Sequence, residues 1–153
     1  MKKILSIVSI VLLLCMFLTS CGSSTKQEEE FYELVSETQE LLDEYADDIY
    51  SCWYDYVYEE KYSDPNDAIM AATAMNSGNI NSIVDNNETI KELYKKVKDG
   101  NLKSEIKDVM QAYNDYYSFV MEVSGTYDSF SAGKEPLKKE LSGALKNLEF
   151  ELD

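Results

Sequence analysis

The chain has 153 residues, of which 29 are Asp or Glu and 14 are Lys, with no His and no Arg, so its formal net charge is −15 at neutral pH. Without His it lacks the commonest general base and metal ligand, and without Arg it lacks the best phosphate fork; the shortage of clustered cations argues against nucleic acid as a partner. Apolar residues make up 44%, enough for one folded domain that buries about two-thirds of the surface of its unfolded chain.

The chain opens with Lys2 and Lys3, followed by an apolar run from Ile4 to Leu18 broken only by Ser6 and Ser9. As a helix this run would span about 22 Å at ~1.5 Å per residue, short of a ~30 Å hydrocarbon core, so it reads as a signal peptide rather than a permanent span. The residues that close it, Leu18, Thr19, Ser20 and Cys21, resemble the lipobox of bacterial lipoprotein precursors: an aliphatic residue, two small ones, then cysteine. The resemblance implies that residues 1–20 are cleaved and that Cys21 becomes the N-terminus with a diacylglycerol on its sulfur. Two acyl chains at roughly 0.8 kcal/mol per buried methylene hold a protein stably on a bilayer. The alternative for the same residues is a secretory peptide that leaves Cys21 as a free thiol. The Lys-only cation usage resembles that of low-GC Gram-positive bacteria, which sets the expected location at the outer face of the cytoplasmic membrane.

Loss of residues 1–20 removes two Lys and no acid and lowers the net charge from −15 to −17, so a partner chosen by electrostatics is cationic. Of the cysteines, Cys15 leaves with the signal and Cys21 is acylated. Cys52 then stands alone, without an intrachain disulfide partner, and falls among apolar helix positions as an inert core residue. A zinc site of Cys and His ligands is excluded by count.

After a small polar tether over 21–27, a domain is expected over 28–153. Phe31, Val35, Leu42, Tyr45, Ile49, Cys52, Trp53 and Tyr56 recur at three- and four-residue spacing, which predicts a helix of about 30 residues ending near Tyr62. Its first turn is expected at Glu28, Glu29 and Glu30, which suit the positive end of the helix dipole. Asp64 and Pro65 then offer an N-cap and a first helical position. A second helix carries Ile69, Ala72, Met75, Ile80 and Ile83, weakened at Ser77, Gly78 and Asn79, with a turn expected at Asp85, Asn86 and Asn87. A short third helix runs from Ile90 to Gly100. A long fourth follows from Leu102 to Phe130, which Gly125 can truncate, and a last one opens at Pro136. No segment alternates with the period of a strand. The expected fold is an all-α antiparallel bundle of four to five helices, two of them long.

Charge is unevenly placed: residues 28–67 carry a net −14, and Glu37, Glu40, Asp43, Glu44, Asp47 and Asp48 form either a solvated face or a collector of cations or a basic partner. Lys91, Lys95, Lys98, Lys103 and Lys107 form a modest basic zone that is expected to pair with the acidic first helix or to be solvated. The most suggestive feature is aromatic. Tyr50, Tyr54 and Tyr58 form an i, i+4, i+8 row on a face other than the apolar stripe, either packed under another helix or presented to a protein or glycan. Tyr113, Tyr116 and Tyr117 could add an aromatic groove or simply fill the core.

No P-loop, G-x-S-x-G, dinucleotide fingerprint or calcium loop is present, and no cofactor or metal is implied. The leading expectation is a noncatalytic, lipid-anchored helical module for binding at the cell surface, similar in layout to the many small Gram-positive lipoproteins. The alternatives are an immunity-like or phage-exclusion lipoprotein and a carboxylate-dependent hydrolase.

Overall fold

The computed structural model describes residues 24–152, which form five helices and, among these residues, no strand. Helix α1, Ser24–Tyr58, is 35 residues long, or ~50 Å at ~1.5 Å per residue. It begins four residues before Glu28, so Glu28, Glu29 and Glu30 fall in its second turn, and the expected tether is helical from Ser24 onward. Phe31, Val35, Leu42, Ile49, Cys52 and Trp53 line its buried stripe. The helix stops at Tyr58, short of Tyr62: Glu60 takes a left-handed φ of 51°, and the Lys61 N–H folds back to the Asp55 carbonyl at 3.2 Å.

Helix α2, Pro65–Met75, starts as the residues dictate. The Asp64 carboxylate accepts from the N–H groups of Asn66 (2.7 Å) and Asp67 (3.0 Å), and Pro65 sits where no intrahelical donor is required. Asn76 separates α2 from α3, Ser77–Val97. The expected turn at 85–87 is absent, and the helix runs straight through it. The reason is what those polar side chains face: Asn86 donates to Thr38 Oγ1 of α1 (3.1 Å), and Asn87, buried, accepts from the Tyr113 hydroxyl (3.3 Å). They join helices rather than cap one. The break falls instead at Asn76, whose side-chain amide donates to Asp48 (2.7 Å) and, alongside its own backbone N–H, to the Ala72 carbonyl (3.0 Å).

Helix α4, Lys103–Met121, has 19 residues and ends before Gly125, whose φ of 89° is open to glycine at little cost. Helix α5, Tyr127–Leu152, has 26 residues and is therefore the second long helix, in place of the fourth. It begins nine residues before Pro136 because Thr126 and Ser129 cap it reciprocally. Ser129 Oγ accepts from the Thr126 N–H (2.8 Å), and Thr126 Oγ1 accepts from the Ser129 N–H (3.2 Å). Pro136 lies inside the helix on its exposed side.

The direction of packing is fixed by a ladder between α1 and α5. Gln39 donates to Ser142 (2.6 Å), Lys138 pairs with Asp43 (2.9 Å) and Lys134 pairs with Asp47; each step of four forward on α1 is four back on α5. The pairs Thr38–Asn86 and Glu44–Asn79 show the same antiparallel relation between α1 and α3. The 59–64 and 122–126 connections therefore share one end of the bundle, and Ser24, the 98–102 connection and Leu152 share the other. Among the described residues no helix is long and apolar enough to cross a membrane.

Candidate functional site

The end of the bundle that holds the 59–64 and 122–126 connections is where α1 runs out of helices to cover it. The i, i+4 spacing lines up Tyr50, Tyr54 and Tyr58 along that end of α1, and the early start of α5 swings Tyr127 against all three. Ring centroids lie 5.3 Å (Tyr50), 6.2 Å (Tyr54) and 5.7 Å (Tyr58) from that of Tyr127, with Tyr54 and Tyr58 4.8 Å apart. These separations are those of mutually attracting rings, and the Tyr58–Tyr127 pair meets nearly edge to face, at 82°. A hydrogen bond with Tyr50, and then desolvation, hold the Tyr127 phenol above its ordinary pKa.

The row divides along its length. Tyr50 is half-buried and carries the Lys134 ammonium 5.1 Å above its ring, whereas Tyr54 is 40% and Tyr58 57% exposed. Beside them Val57 is also exposed, and a groove of about 320 Å³ runs between Trp53, Val57 and Tyr58 on one wall and Pro65 and Tyr127 on the other. Large apolar side chains clustered on a surface rather than scattered singly are a feature of interaction sites. The rim is acidic: Glu59, Glu60, Asp64 and Asp128 are exposed, and Lys61 is held by Asp55 at 3.0 Å.

The other residues singled out from the sequence lie elsewhere. Tyr113 and Tyr116 are fully buried, with their hydroxyls bonded to Asn87 (3.3 Å) and Asp43 (2.6 Å), so they are core and line no groove; Tyr117 packs tilted against Tyr113, with ring centroids 5.8 Å apart. Burial first, and the Asp43 bond second, push the Tyr116 phenol well above its ordinary range. Of the carboxylates Glu37, Glu40, Asp43, Glu44, Asp47 and Asp48, four are engaged by residues beyond α1, Asp43 and Asp47 by lysines of α5, Glu44 by Asn79 and Asp48 by Asn76. Glu37 and Glu40 remain exposed. Among the described residues no three such side chains converge as a metal-binding group. The basic zone does not reach α1: Lys95 pairs with Glu92 and Lys98 with Asp99. Cys52 is 4% exposed and accepts from the Tyr62 hydroxyl at 3.6 Å. Cys21 lies outside the described residues.

Tyr127 is the member of the cluster that the sequence does not single out, because a fourth helix running from Leu102 to Phe130 takes it in as one of its own residues. The signal was there in Gly125, Thr126 and Ser129, a chain reversal followed by a capping pair. Compared with protein-family models, with curated proteins and with solved structures, the chain shows no significant match to any.

Proposed function

We propose that this chain is a lipid-anchored, extracytoplasmic helical module that works by noncatalytic binding, with the tyrosine platform as its contact surface. The observation that carries the reading is the exposed pair Tyr54 and Tyr58, packed on half-buried Tyr127, at the end of α1 remote from Ser24. Tyr54 stands ~45 Å along the helix from Ser24 at ~1.5 Å per residue, and Cys21 precedes Ser24 by three residues. With acyl chains on Cys21 in the outer face of the cytoplasmic membrane, α1 is a strut that holds the platform clear of the headgroups. Tyrosine suits such a surface because it offers a large contact area, few rotatable bonds and a polar tip. The cross-helix bonds of the α1 carboxylates favour binding over hydrolysis, since an acid–base pair needs carboxylates aimed into a cleft.

The reading is tested on the intact chain in its native membrane. A photo-crosslinking phenylalanine analogue at position 58 should give a discrete adduct that the same analogue at position 91 does not. Cys21→Ala should accumulate unprocessed precursor without fatty-acid label. Adducts indistinguishable at the two positions overturn the platform, and normal labelling of the Cys21 variant overturns the anchor.

A further inference from the structure

The molecule already holds one cation on a tyrosine. The Lys134 ammonium sits 5.1 Å over the Tyr50 ring while pairing with Asp47, and its side chain is only 13% exposed, so ring face and carboxylate together desolvate and hold a positive charge. One and two turns further along α1 tyrosines recur at Tyr54 and Tyr58, now exposed, with exposed Glu59 and Glu60 directly after Tyr58 in the chain and Asp128 lining the adjoining groove. Among the described residues, the lysines nearest this end are already paired, Lys61 with Asp55 and Lys134 with Asp47.

Where it borders the end of α1, the acidic rim also runs against the needs of that helix. The last turn of α1 contains no basic residue. Asp55, Glu59 and Glu60 instead sit where the macrodipole is negative, which is unfavourable for the helix. Glu60 additionally holds a left-handed φ that glycine would adopt without strain. The dipole part of this cost comes from negative charge, and a cationic ligand would recover that part.

We infer that the platform binds a basic polypeptide segment, with Arg or Lys side chains laid on Tyr54 and Tyr58 and ion-paired to the rim. A segment fits better than a small amine because the exposed surface of the packed Tyr54–Tyr58 pair continues at Tyr58 into an open groove that ends at Asp128, so successive side chains of one peptide can meet rings and carboxylate together. Guanidinium groups should be favoured over ammonium groups, since they stack on aromatic faces while donating to carboxylates in plane. The inference rests on the platform reading above and names the chemistry of its partner.

The test uses the intact lipidated chain in nanodiscs of zwitterionic phosphatidylcholine, which does not itself recruit cations. Trp53, the single tryptophan, lines the groove and reports by its fluorescence. A hexa-arginine peptide should bind saturably and more tightly than hexa-lysine, and a hexa-aspartate peptide should not bind. Replacing Tyr54 and Tyr58 together with Ala should weaken hexa-arginine binding roughly tenfold, the expected loss of two cation–π contacts. Replacing them with Leu, which keeps apolar bulk and removes the ring faces, should weaken it similarly. Glu59→Gln with Glu60→Gln should weaken binding severalfold and flatten its salt dependence. Unchanged hexa-arginine affinity in the Leu variant overturns the inference, because the peptide would then be held by diffuse negative charge. If that happens while the position-58 adduct is still discrete, the platform stands and only its cationic partner falls; if the adduct fails as well, both fall.

Discussion

Glu60 shows most plainly how one residue can set fold against surface. A side chain with a Cβ in the left-handed region costs ~1–2 kcal/mol, less the extra chain entropy that glycine would bring to the unfolded state. Glu60→Gly should therefore stabilise the domain by about 1 kcal/mol and raise its Tm by ~3 °C in a thermal melt, since no hydrogen bond or ion pair found for Glu60 is lost with the side chain. A lowered Tm would show that its backbone is not strained. The same variant removes a rim carboxylate, so its gain in stability should come with weaker hexa-arginine binding. Cys52 is the opposite case, a residue with chemistry but no access. Buried against Trp53 and covered by the Tyr62 hydroxyl, it should react slowly with thiol reagents in the native state and rapidly in denaturant. Rapid native labelling would move it from packing to function.

Among elements, Asn76 decides where one helix becomes two. It is 4% exposed and bridges Ala72 and Asp48, so Asn76→Ala should leave the Asp48 carboxylate short of a donor and cost ~1–3 kcal/mol in urea unfolding. A change within 0.5 kcal/mol would show that water replaces the amide. Asn76 also explains the limits of the sequence. Apolar stripes at three- and four-residue spacing reveal helices because burial repeats with the helix, and Asp64–Pro65 reveals a start because both residues act locally. Asn86 and Asn87 look the same as such a cap, but their partners, Thr38 and Tyr113, lie on other helices, and periodicity carries no record of what stands opposite. Pro136 misleads for a related reason, as a helix already capped by Thr126 and Ser129 carries it on a solvent face. The i, i+4, i+8 row was legible from Tyr50 to Tyr58, whereas its exposure depended on where α5 begins.

For the whole molecule, the two buried tyrosines of α4 make stability a function of pH on the alkaline side. Tyr113 and Tyr116 have no exposed surface and tie α4 to α3 and α1 through Asn87 and Asp43. Burial raises both phenols above the ordinary value of 10.0, and the Asp43 carboxylate raises Tyr116 further. The native state therefore keeps these protons at a pH where the unfolded chain releases them, and the sign follows by linkage. Their contribution is fully present below about pH 10 and is lost as pH rises above it, by up to roughly 1.4 kcal/mol per pH unit for each tyrosine. Thermal or urea melts at pH 8, 10 and 11 should show stability falling only in the upper interval, with tyrosinate absorbance and loss of helix appearing together. Tyr116→Phe keeps the ring and leaves Asp43 paired with Lys138 at 2.9 Å. It should cost ~1–1.5 kcal/mol at pH 8 through the lost hydroxyl bond and make the alkaline decline shallower. An alkaline decline as steep in Tyr116→Phe as in the parent chain would mean that the transition belongs to other groups and that Tyr116 is no part of the link between proton and fold.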